Sequence, residues 1–198
     1  SSIAGSAANL LNLAKREAVD AGRLRRTAER IAADAEIAHQ LAERQYELRN
    51  PGSRIRLEQV DLRSALENVV TEYGRSFRRG RLSTVSLNIS TDLGDIALDP
   101  RAFKQVMFNL LENAFRYGRS AGPIEVVGLH ATPHIIIRVR NHGPGVAPNH
   151  EEIIFQPFYT ASPQGLGLGL YVARKLVQAM NGELRLTRLA NPTEFSAY

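Results

Sequence analysis

The sequence contains no cysteine, which excludes a disulfide framework and zinc sites built from cysteine. No apolar stretch approaches the roughly 20 residues that a membrane-spanning helix requires. The first residues also lack the basic and then apolar layout of a signal peptide. We therefore expect a soluble, cytoplasmic segment, attached to a membrane only through regions of a parent protein outside these residues.

Charge of one sign is not concentrated along the chain. Residues 1–60 carry 10 Lys and Arg against 8 Asp and Glu, and the rest carry 15 against 12, for a net charge of +5. The one basic cluster is formed by Arg75, Arg78, Arg79 and Arg81 around two glycines, which is typical of a solvated turn. We therefore expect no binding to nucleic acid.

The first 50 residues have the apolar spacing of a helical hairpin. An Ala-rich stripe with three- and four-residue spacing runs through residues 24–48, after a break at residues 20–22. Because so narrow a stripe buries little apolar surface, a homodimer with a four-helix core would complete it, unless it packs on its own chain. Pro51 and Gly52 end the hairpin, so we predict two domains, residues 1–50 and 51–198.

The second segment mixes helices and strands. Helices are predicted from Asp61 to about Phe77, from Arg101 to about Tyr117 after Asp99-Pro100, and from Leu170 onward. Extended segments are predicted at residues 54–60, 85–89, 96–98, 124–129, 135–140 and 183–188, with Phe195 extending the sheet. Since helices and strands do not strictly alternate, we predict an α+β fold, an α/β sandwich whose mixed sheet is covered by helices on one face.

A glycine run lies directly before the last predicted helix and reads Gln164-Gly-Leu-Gly-Leu-Gly169. Alternating glycines let backbone N–H groups approach a phosphate chain, and the following helix N-terminus adds partial positive charge. The run therefore indicates a nucleotide ligand, although Gly-Leu repeats also serve as flexible hinges.

Polar residues share one face of the helix that follows Asp99. Asn109 and Asn113 are four residues apart, with Glu112 and Arg116 close to that face. An amide oxygen suits Mg²⁺, which takes few protein ligands beside phosphate oxygens and waters, and Arg116 suits a phosphate oxygen. The alternative is a solvated polar face.

Two further segments separate this helix from the glycine run. Asn141 ends an apolar strand and enters a tight turn with Gly143 and Gly145, which presents its side chain inward to read a base edge. Phe155, Phe158 and Tyr159 surround a proline, and we expect these aromatic rings to anchor a loop to the core.

These four segments resemble, in order, the N, G1, F and G2 boxes of the sensor histidine kinase ATP-binding domain. They read Asn109-Leu-Leu-Glu112-Asn113-Ala-Phe-Arg116-Tyr117, Asn141-His-Gly143-Pro-Gly145, Phe155-Gln-Pro-Phe158-Tyr159 and Gln164-Gly165-Leu-Gly167-Leu-Gly169-Leu170. The resemblance covers about residues 60–190, and residues 1–50 look like part of the family's dimerisation hairpin. It implies the family's Bergerat-type sandwich, with ATP between the N-box helix and a lid of residues 146–166.

The resemblance also implies a role for each matching residue. Asn113 would coordinate Mg²⁺, while Asn109, Arg116 and Tyr117 would line the nucleotide pocket, with Asn109 and Arg116 taking part in catalysis. Gly143 and Gly145 would shape the adenine end beside Asn141. The nucleotide would also be bound by Gly165, Leu166, Gly167, Leu168 and Gly169, with the three glycines around its phosphates.

Two positions bear on the chemistry. The G1 box usually begins with Asp, which accepts a hydrogen bond from the adenine amino group; an Asn141 oxygen also accepts it, with ATP binding weakened by about 1 kcal/mol. Gyrase-type and chaperone ATPases resemble one another in placing Glu at the first N-box position as a general base, whereas Asn109 takes no proton. Phosphoryl transfer to a side chain is therefore favoured over hydrolysis, with anti-sigma serine kinases as a rival that lacks the hairpin.

The acceptor histidine of such a kinase is not evident in the sequence. The family's acceptor lies in His-Glu/Asp-x-Arg-x-Pro, and His39, the histidine of the hairpin, is followed by Gln40. Residues 1–5 resemble the stretch just after that motif, so we expect the acceptor upstream of Ser1. The chain would then bind ATP and dimerise without phosphorylating itself, and the parent would relay the phosphoryl group to a response regulator receiver domain. The alternative is a pseudokinase or regulatory module that binds nucleotide without chemistry.

Overall fold

The structure, a computed structural model, describes residues 55–77, 85–118, 122–161, 166–190 and 192–198. Within these ranges, short-range sequence signals determine the helices and strands. The predicted hairpin of residues 1–50 and its boundary lie outside the described residues and stay predictions. Gly165 of the glycine run lies outside them as well. No helix among the described residues is long and apolar enough to cross a membrane.

Three α-helices occur in the described part of the chain. They are α1 at Leu62–Phe77, α2 at Pro100–Gly118 and α3 at Gly169–Ala179. An aspartate begins each of the first two, because a carboxylate satisfies N–H groups that have no partner within the helix. Asp61 accepts from the backbone N–H of Arg63 at 3.1 Å and from the hydroxyl of Ser64 at 2.7 Å. The predicted helix starts after Asp61 and at Asp99-Pro100 are confirmed.

The second cap, Asp99, also ties α2 to the preceding strand region. Its Oδ1 accepts from the N–H groups of Arg101 and Ala102 at 2.9 and 3.1 Å, and its Oδ2 accepts from Arg56 N–H at 2.9 Å. Burial of Asp99 opposes ionisation, but these three backbone donors hold the pKa of its carboxyl below the ordinary range. The carboxylate therefore stays charged between two segments that are distant in sequence.

The strands of the described residues form two sheets. In the smaller, β1 at Glu58–Asp61 pairs antiparallel with β3 at Asp95–Leu98. In the larger, the order is β2, β4, β5, β7, β6, with β2 at Val85–Ile89, β4 at Ile124–Ala131, β5 at His134–Asn141, β6 at Leu184–Arg188 and β7 at Thr193–Ala197. The β2–β4 pair is parallel and the other three are antiparallel, so the predicted mixed sheet is confirmed.

The core lies between the helices and one face of the larger sheet. Alternate strand residues point into it because successive side chains of a strand face opposite sides. The inward set includes Val126, Ile137, Val139, Leu184 and Phe195, which pack with buried residues of all three helices. The predicted sandwich, with helices on one sheet face, is confirmed.

A charged network occupies the other face of the larger sheet, centred on Glu194. Its carboxylate pairs with Arg140, accepts from the Thr187 hydroxyl at 2.8 Å and lies 3.7 Å from Arg138 Nε. Burial of Glu194 opposes its ionisation, but Arg140 and Thr187 hold the pKa of its carboxyl below the ordinary value. The sequence indicated β7 by Phe195 alone. In the structure β7 contributes side chains to both faces of the sheet, Phe195 to the core and Glu194 to the charged network.

Candidate functional site

The polar face of α2 carries the two amides that the sequence places together. Asn109 and Asn113 are half-buried, while Val106, Leu110 and Ala114 lie buried on the opposite face. Among the described residues, neither amide side chain has a hydrogen-bond partner. Both are therefore available to a ligand, as the sequence spacing predicts.

The start of α3 lies against this face. A Cβ atom at Gly169 would be 3.6 Å from Asn109 Oδ1. Leu168 occupies the N-cap position and offers no side-chain cap, so the first N–H groups of α3 have no capping acceptor in the described residues. At this helix end, N–H groups without an acceptor and the positive end of the helix dipole lie beside Asn109. This arrangement suits a phosphate group.

The residue at 167 must be glycine. Its φ is +66°, and a Cβ there would lie 2.5 Å from the carbonyl carbon of Phe158 and from the carbonyl oxygen of Tyr159. The glycine run and the aromatic segment are therefore in backbone contact. Of the run, Leu168 is buried and Leu166 is 40% exposed.

The aromatic segment is anchored by one phenylalanine. Phe155 is buried at the end of a short 3₁₀ helix, Ile153–Phe155, and meets the ring of Phe195 edge-on at 6.2 Å. Arg174 of α3 lies 4.6 Å above the Phe155 ring and pairs with Glu152 at 2.7 Å. This contact fixes the 3₁₀ helix to α3.

The expected anchoring role of Phe158 is wrong. Phe158 is 69% exposed, and its backbone has a φ of +68°. This left-handed conformation directs the chain through a turn after Pro157 and leaves the ring outside the core. The residue that follows, Tyr159, is half-buried, and its hydroxyl shares a hydrogen bond of 2.8 Å with His150 Nδ1.

Asn141 lies at the other end of α2. It is the last residue of β5, in phase with the buried Ile137 and Val139, and a Cβ at Gly118 would be 3.3 Å from its own Cβ. Asn141 is only 3% exposed, and its side chain forms no hydrogen bond with any described residue. Among the described residues, Arg138 Nε is the one fully buried side-chain polar atom without a hydrogen-bond partner, so the amide atoms of Asn141 keep some contact with solvent and are open to a ligand.

The turn after β5 is held against α2 by a close backbone approach. A Cβ at Gly143 would lie 2.1 Å from the carbonyl oxygen of Tyr117 and 3.1 Å from Asn141 Nδ2. No side chain fits between the turn and the helix. Gly143 therefore places Asn141 beside the last turn of α2.

These contacts define an elongated site along α2. Asn109 and Gly118 are nine residues apart, which corresponds to roughly 14 Å along the helix axis. One end has Asn109 and the start of α3, and the other has Gly118 and Asn141. An anionic group fits the first end, and a flat group with donors and acceptors fits the second.

Three predicted site residues have other partners. Gly145, with a φ of +83°, lies against the backbone of Leu189 and Ala190, so its contact is with the turn between β6 and β7. Arg116 pairs with Glu112 at 3.5 Å on α2. Tyr117 is half-buried, and its described contact with the site is through its carbonyl oxygen.

Sequence reasoning missed one residue beside Asn141. Thr193 of β7 is in register with Asn141, is buried, and donates its hydroxyl to Leu189 O at 3.3 Å. Its signal in the sequence was a polar residue in phase with Phe195. That signal has meaning only once the pairing of β5 with β7 is known.

The donor set of the site fits magnesium. Among the described residues, no group of three or more His, Cys, Asp or Glu side chains is placed to hold a metal ion. Mg²⁺ in nucleotide sites needs few protein ligands, because phosphate oxygens and waters complete its coordination. The unpartnered amide of Asn113, midway along the polar face, suits that role.

The chain is similar to known proteins of one family. The profile of the family described as histidine kinase-, DNA gyrase B-, and HSP90-like ATPase matches residues 98–197. The adaptive-response sensory kinase SasA of Synechococcus sp. (strain CC9311) is 31% identical over 133 residues, which cover 64% of this chain and 34% of that protein. The sensor protein kinase PilS of Pseudomonas aeruginosa is 35% identical over 130 residues, 62% of this chain and 24% of that protein.

Solved structures show the same fold. The catalytic domain of histidine kinase ThkA, in a nucleotide-free form, has a TM-score of 0.63 and 25% identity, covering 72% of this chain and 93% of that one. Full-length ShkA in complex with AMPPNP has a TM-score of 0.76 and 24% identity, covering 97% of this chain and 41% of that one. The matched residues cover 34% of the length of SasA and 24% of the length of PilS, so the chain spans about a third or less of these two sensory kinases.

Proposed function

The chain belongs to the family of histidine kinase-, DNA gyrase B- and HSP90-like ATPases, and from that membership we propose that it is the ATP-binding catalytic portion of a sensor histidine kinase. It transfers the γ-phosphoryl group of ATP to a histidine on a dimerisation helix, for relay to a response regulator. One observation carries the proposal: the side-chain amides of Asn109, Asn113 and Asn141 lie along one site, and none of them forms a hydrogen bond with a described residue.

The elongated site supports one orientation of ATP. The base lies at Asn141, whose buried amide accepts from the adenine amino group and donates to a ring nitrogen. The phosphates lie toward the start of α3, where Gly167 and Gly169 allow backbone N–H groups to approach them. Asn113 would hold Mg²⁺, which neutralises charge on the phosphate oxygens when it is bound.

Asn109 supports transfer over hydrolysis. Its side chain faces Gly169 at the phosphate end, where a general base would have to act on an attacking water. An amide has no basic site for that proton, so Asn109 positions the phosphates and leaves water unactivated. The nucleophile is then the imidazole of a histidine brought to the site from another element.

Arg116 is held beside the site by Glu112. Their ion pair at 3.5 Å leaves about a third of each side chain exposed, so its net stabilisation is small, about 0.3–0.5 kcal/mol. Phosphate oxygens with more negative charge compete well for the guanidinium. Arg116 would exchange Glu112 for the nucleotide at little cost.

The remaining features of the proposal concern the longer protein. The acceptor histidine would lie upstream of Ser1 on the dimerisation helix, and residues 1–50 would be the part of the hairpin through which the protein forms a homodimer. The chain by itself binds ATP without phosphorylating itself. The partner that receives the phosphoryl group is the receiver domain of a response regulator.

A phosphotransfer assay tests this function. The parent protein, with the residues that precede Ser1, is incubated with γ-labelled ATP and Mg²⁺. Label is expected on the wild type, with at least about a hundredfold loss in Asn113→Ala, because a removed charge-stabilising contact costs about 3 kcal/mol. Asn88→Ala is the matched control, since Asn88 is an exposed residue of β2 outside the site.

Two results would contradict the proposal. Equal label in Asn113→Ala and Asn88→Ala would remove the role of Asn113 at the phosphates. Rapid release of labelled phosphate without label on the protein would identify a hydrolase, contrary to the argument from Asn109.

A further inference from the structure

The base end of the site presents a single amide that no contact orients. Asn141 is 3% exposed, and its side chain forms no hydrogen bond with any described residue. Two residues that pack closely against it, Gly118 and Gly143, have no side chains to select one orientation of the amide. The oxygen and the NH₂ group of Asn141 can therefore exchange places by a half-turn about the Cβ–Cγ bond.

An amide that turns in this way matches two different purines. The Watson–Crick edge of adenine offers the amino group as a donor and N1 as an acceptor. The same edge of a 6-oxopurine, guanine or hypoxanthine, offers O6 as an acceptor and N1–H as a donor. One orientation of Asn141 satisfies the first pair, and the opposite orientation satisfies the second.

A carboxylate at this position could not do the same. It offers acceptors alone, so it pairs with the adenine amino group but sets negative charge against the O6 lone pairs of a 6-oxopurine. Sites built to hydrogen-bond one edge reject the wrong partner strongly, because a buried polar group is left unpaired. The single change between carboxylate and amide thus removes the repulsive element.

A second polar side chain at this end is equally permissive. Thr193 is in register with Asn141, and its hydroxyl donates to Leu189 O at 3.3 Å, which leaves its lone pairs free to accept from a base or a bridging water. A hydroxyl can also rotate to donate. Neither residue of this pair fixes the donor and acceptor order of the base.

We propose that Asn141 gives the nucleotide site relaxed base specificity, so that the chain binds ITP and GTP as well as ATP. This inference rests on the proposed function and names the substrate class of the same site: purine nucleoside triphosphates with either a 6-amino or a 6-oxo group.

Competition binding tests the inference. Displacement of a fluorescent ATP analogue gives the dissociation constants of ATP, ITP and GTP for the wild type, Asn141→Asp and Asn88→Asp. ITP carries the 6-oxopurine edge without the 2-amino group, so it isolates the contact with Asn141. We expect ITP to bind the wild type and Asn88→Asp within about tenfold of ATP, since both edges form two hydrogen bonds.

The substitution Asn141→Asp separates the two edges. It should keep ATP binding within a few fold and weaken ITP by at least about a hundredfold, through the unpaired O6. A preference of the wild type for ATP over ITP of more than about tenfold would overturn the inference and leave the proposed function standing. Failure of the wild type to bind any of the three would instead sink the proposed function. The wild-type comparison decides even if Asn141→Asp does not fold.

Discussion

Replacing Gly167 with alanine tests whether the close backbone approach in the glycine run serves the phosphate site. At a φ of +66° an L-residue loses roughly 1–2 kcal/mol relative to glycine. The added Cβ would also lie 2.5 Å from Phe158 and Tyr159 backbone atoms, and such overlap costs a further 1–3 kcal/mol, approximately. The total is about 2–5 kcal/mol.

The overlap is relieved by moving one of the two segments. The aromatic segment is tied to the core by Phe155, which is buried against Phe195 and covered by Arg174. The glycine run therefore moves, and Gly169 is drawn away from Asn109. If the overlap cost falls on binding, the dissociation constant for ATP rises roughly 5- to 150-fold. Adenosine, which has no phosphates, should bind as before.

Gly94→Ala is the matched control for this change. Gly94 also has a positive φ, +49°, but an added Cβ there meets no atom within 4 Å. It should lower the free energy of unfolding in urea by about 1–2 kcal/mol and leave ATP affinity unchanged. Calorimetric titration with ATP and adenosine measures both variants. Equal ATP affinity in the two would refute the argument that close packing at Gly167 holds the phosphate site.

Three further predictions concern stability. Asp99→Ala removes the acceptor of three N–H groups and should lower the free energy of unfolding in urea by about 1–2 kcal/mol; an unchanged value would contradict its capping role. Glu194→Gln should cost about 1–3 kcal/mol at pH 7. Because folding lowers the pKa of Glu194, its ionised carboxylate stabilises the folded state above about pH 4.3, and this contribution is lost as pH falls through the folded pKa. The free energy of unfolding of Glu194→Gln should therefore fall less steeply in acid than that of the wild type. Arg174→Met should lower thermal stability by about 1 kcal/mol and more than Glu152→Gln, since the carboxylate is 80% exposed and the main contribution is the cation over Phe155.

Local signals predicted most of the fold because they act within a few residues. Asp61 and Asp99 begin helices for the reason that the sequence suggests, and the alternate burial of Ile137, Val139 and Asn141 in β5 follows from packing on one face. The four-residue spacing of Asn109 and Asn113 likewise places both on one face of α2. Fold class and family are confirmed, while the roles of individual site residues stay predictions.

Features that depend on distant pairing could not be predicted. Thr193 adjoins Asn141 only through the register of β5 with β7, more than 50 residues apart in the chain. The contact between Gly143 and the Tyr117 carbonyl depends on how closely a turn approaches a helix end. The exposure of Phe158 follows from its left-handed backbone conformation, which cannot be predicted from an aromatic residue type.

The cap of α2 also couples the helix that bears Asn109 and Asn113 to a backbone segment 43 residues before the cap. Arg56 and the first turn of α2 share one carboxylate, Asp99, and β1 pairs with β3 immediately before that helix. A displacement of Arg56 would therefore strain the first turn of α2, because hydrogen bonds to the two oxygens of one side chain join them.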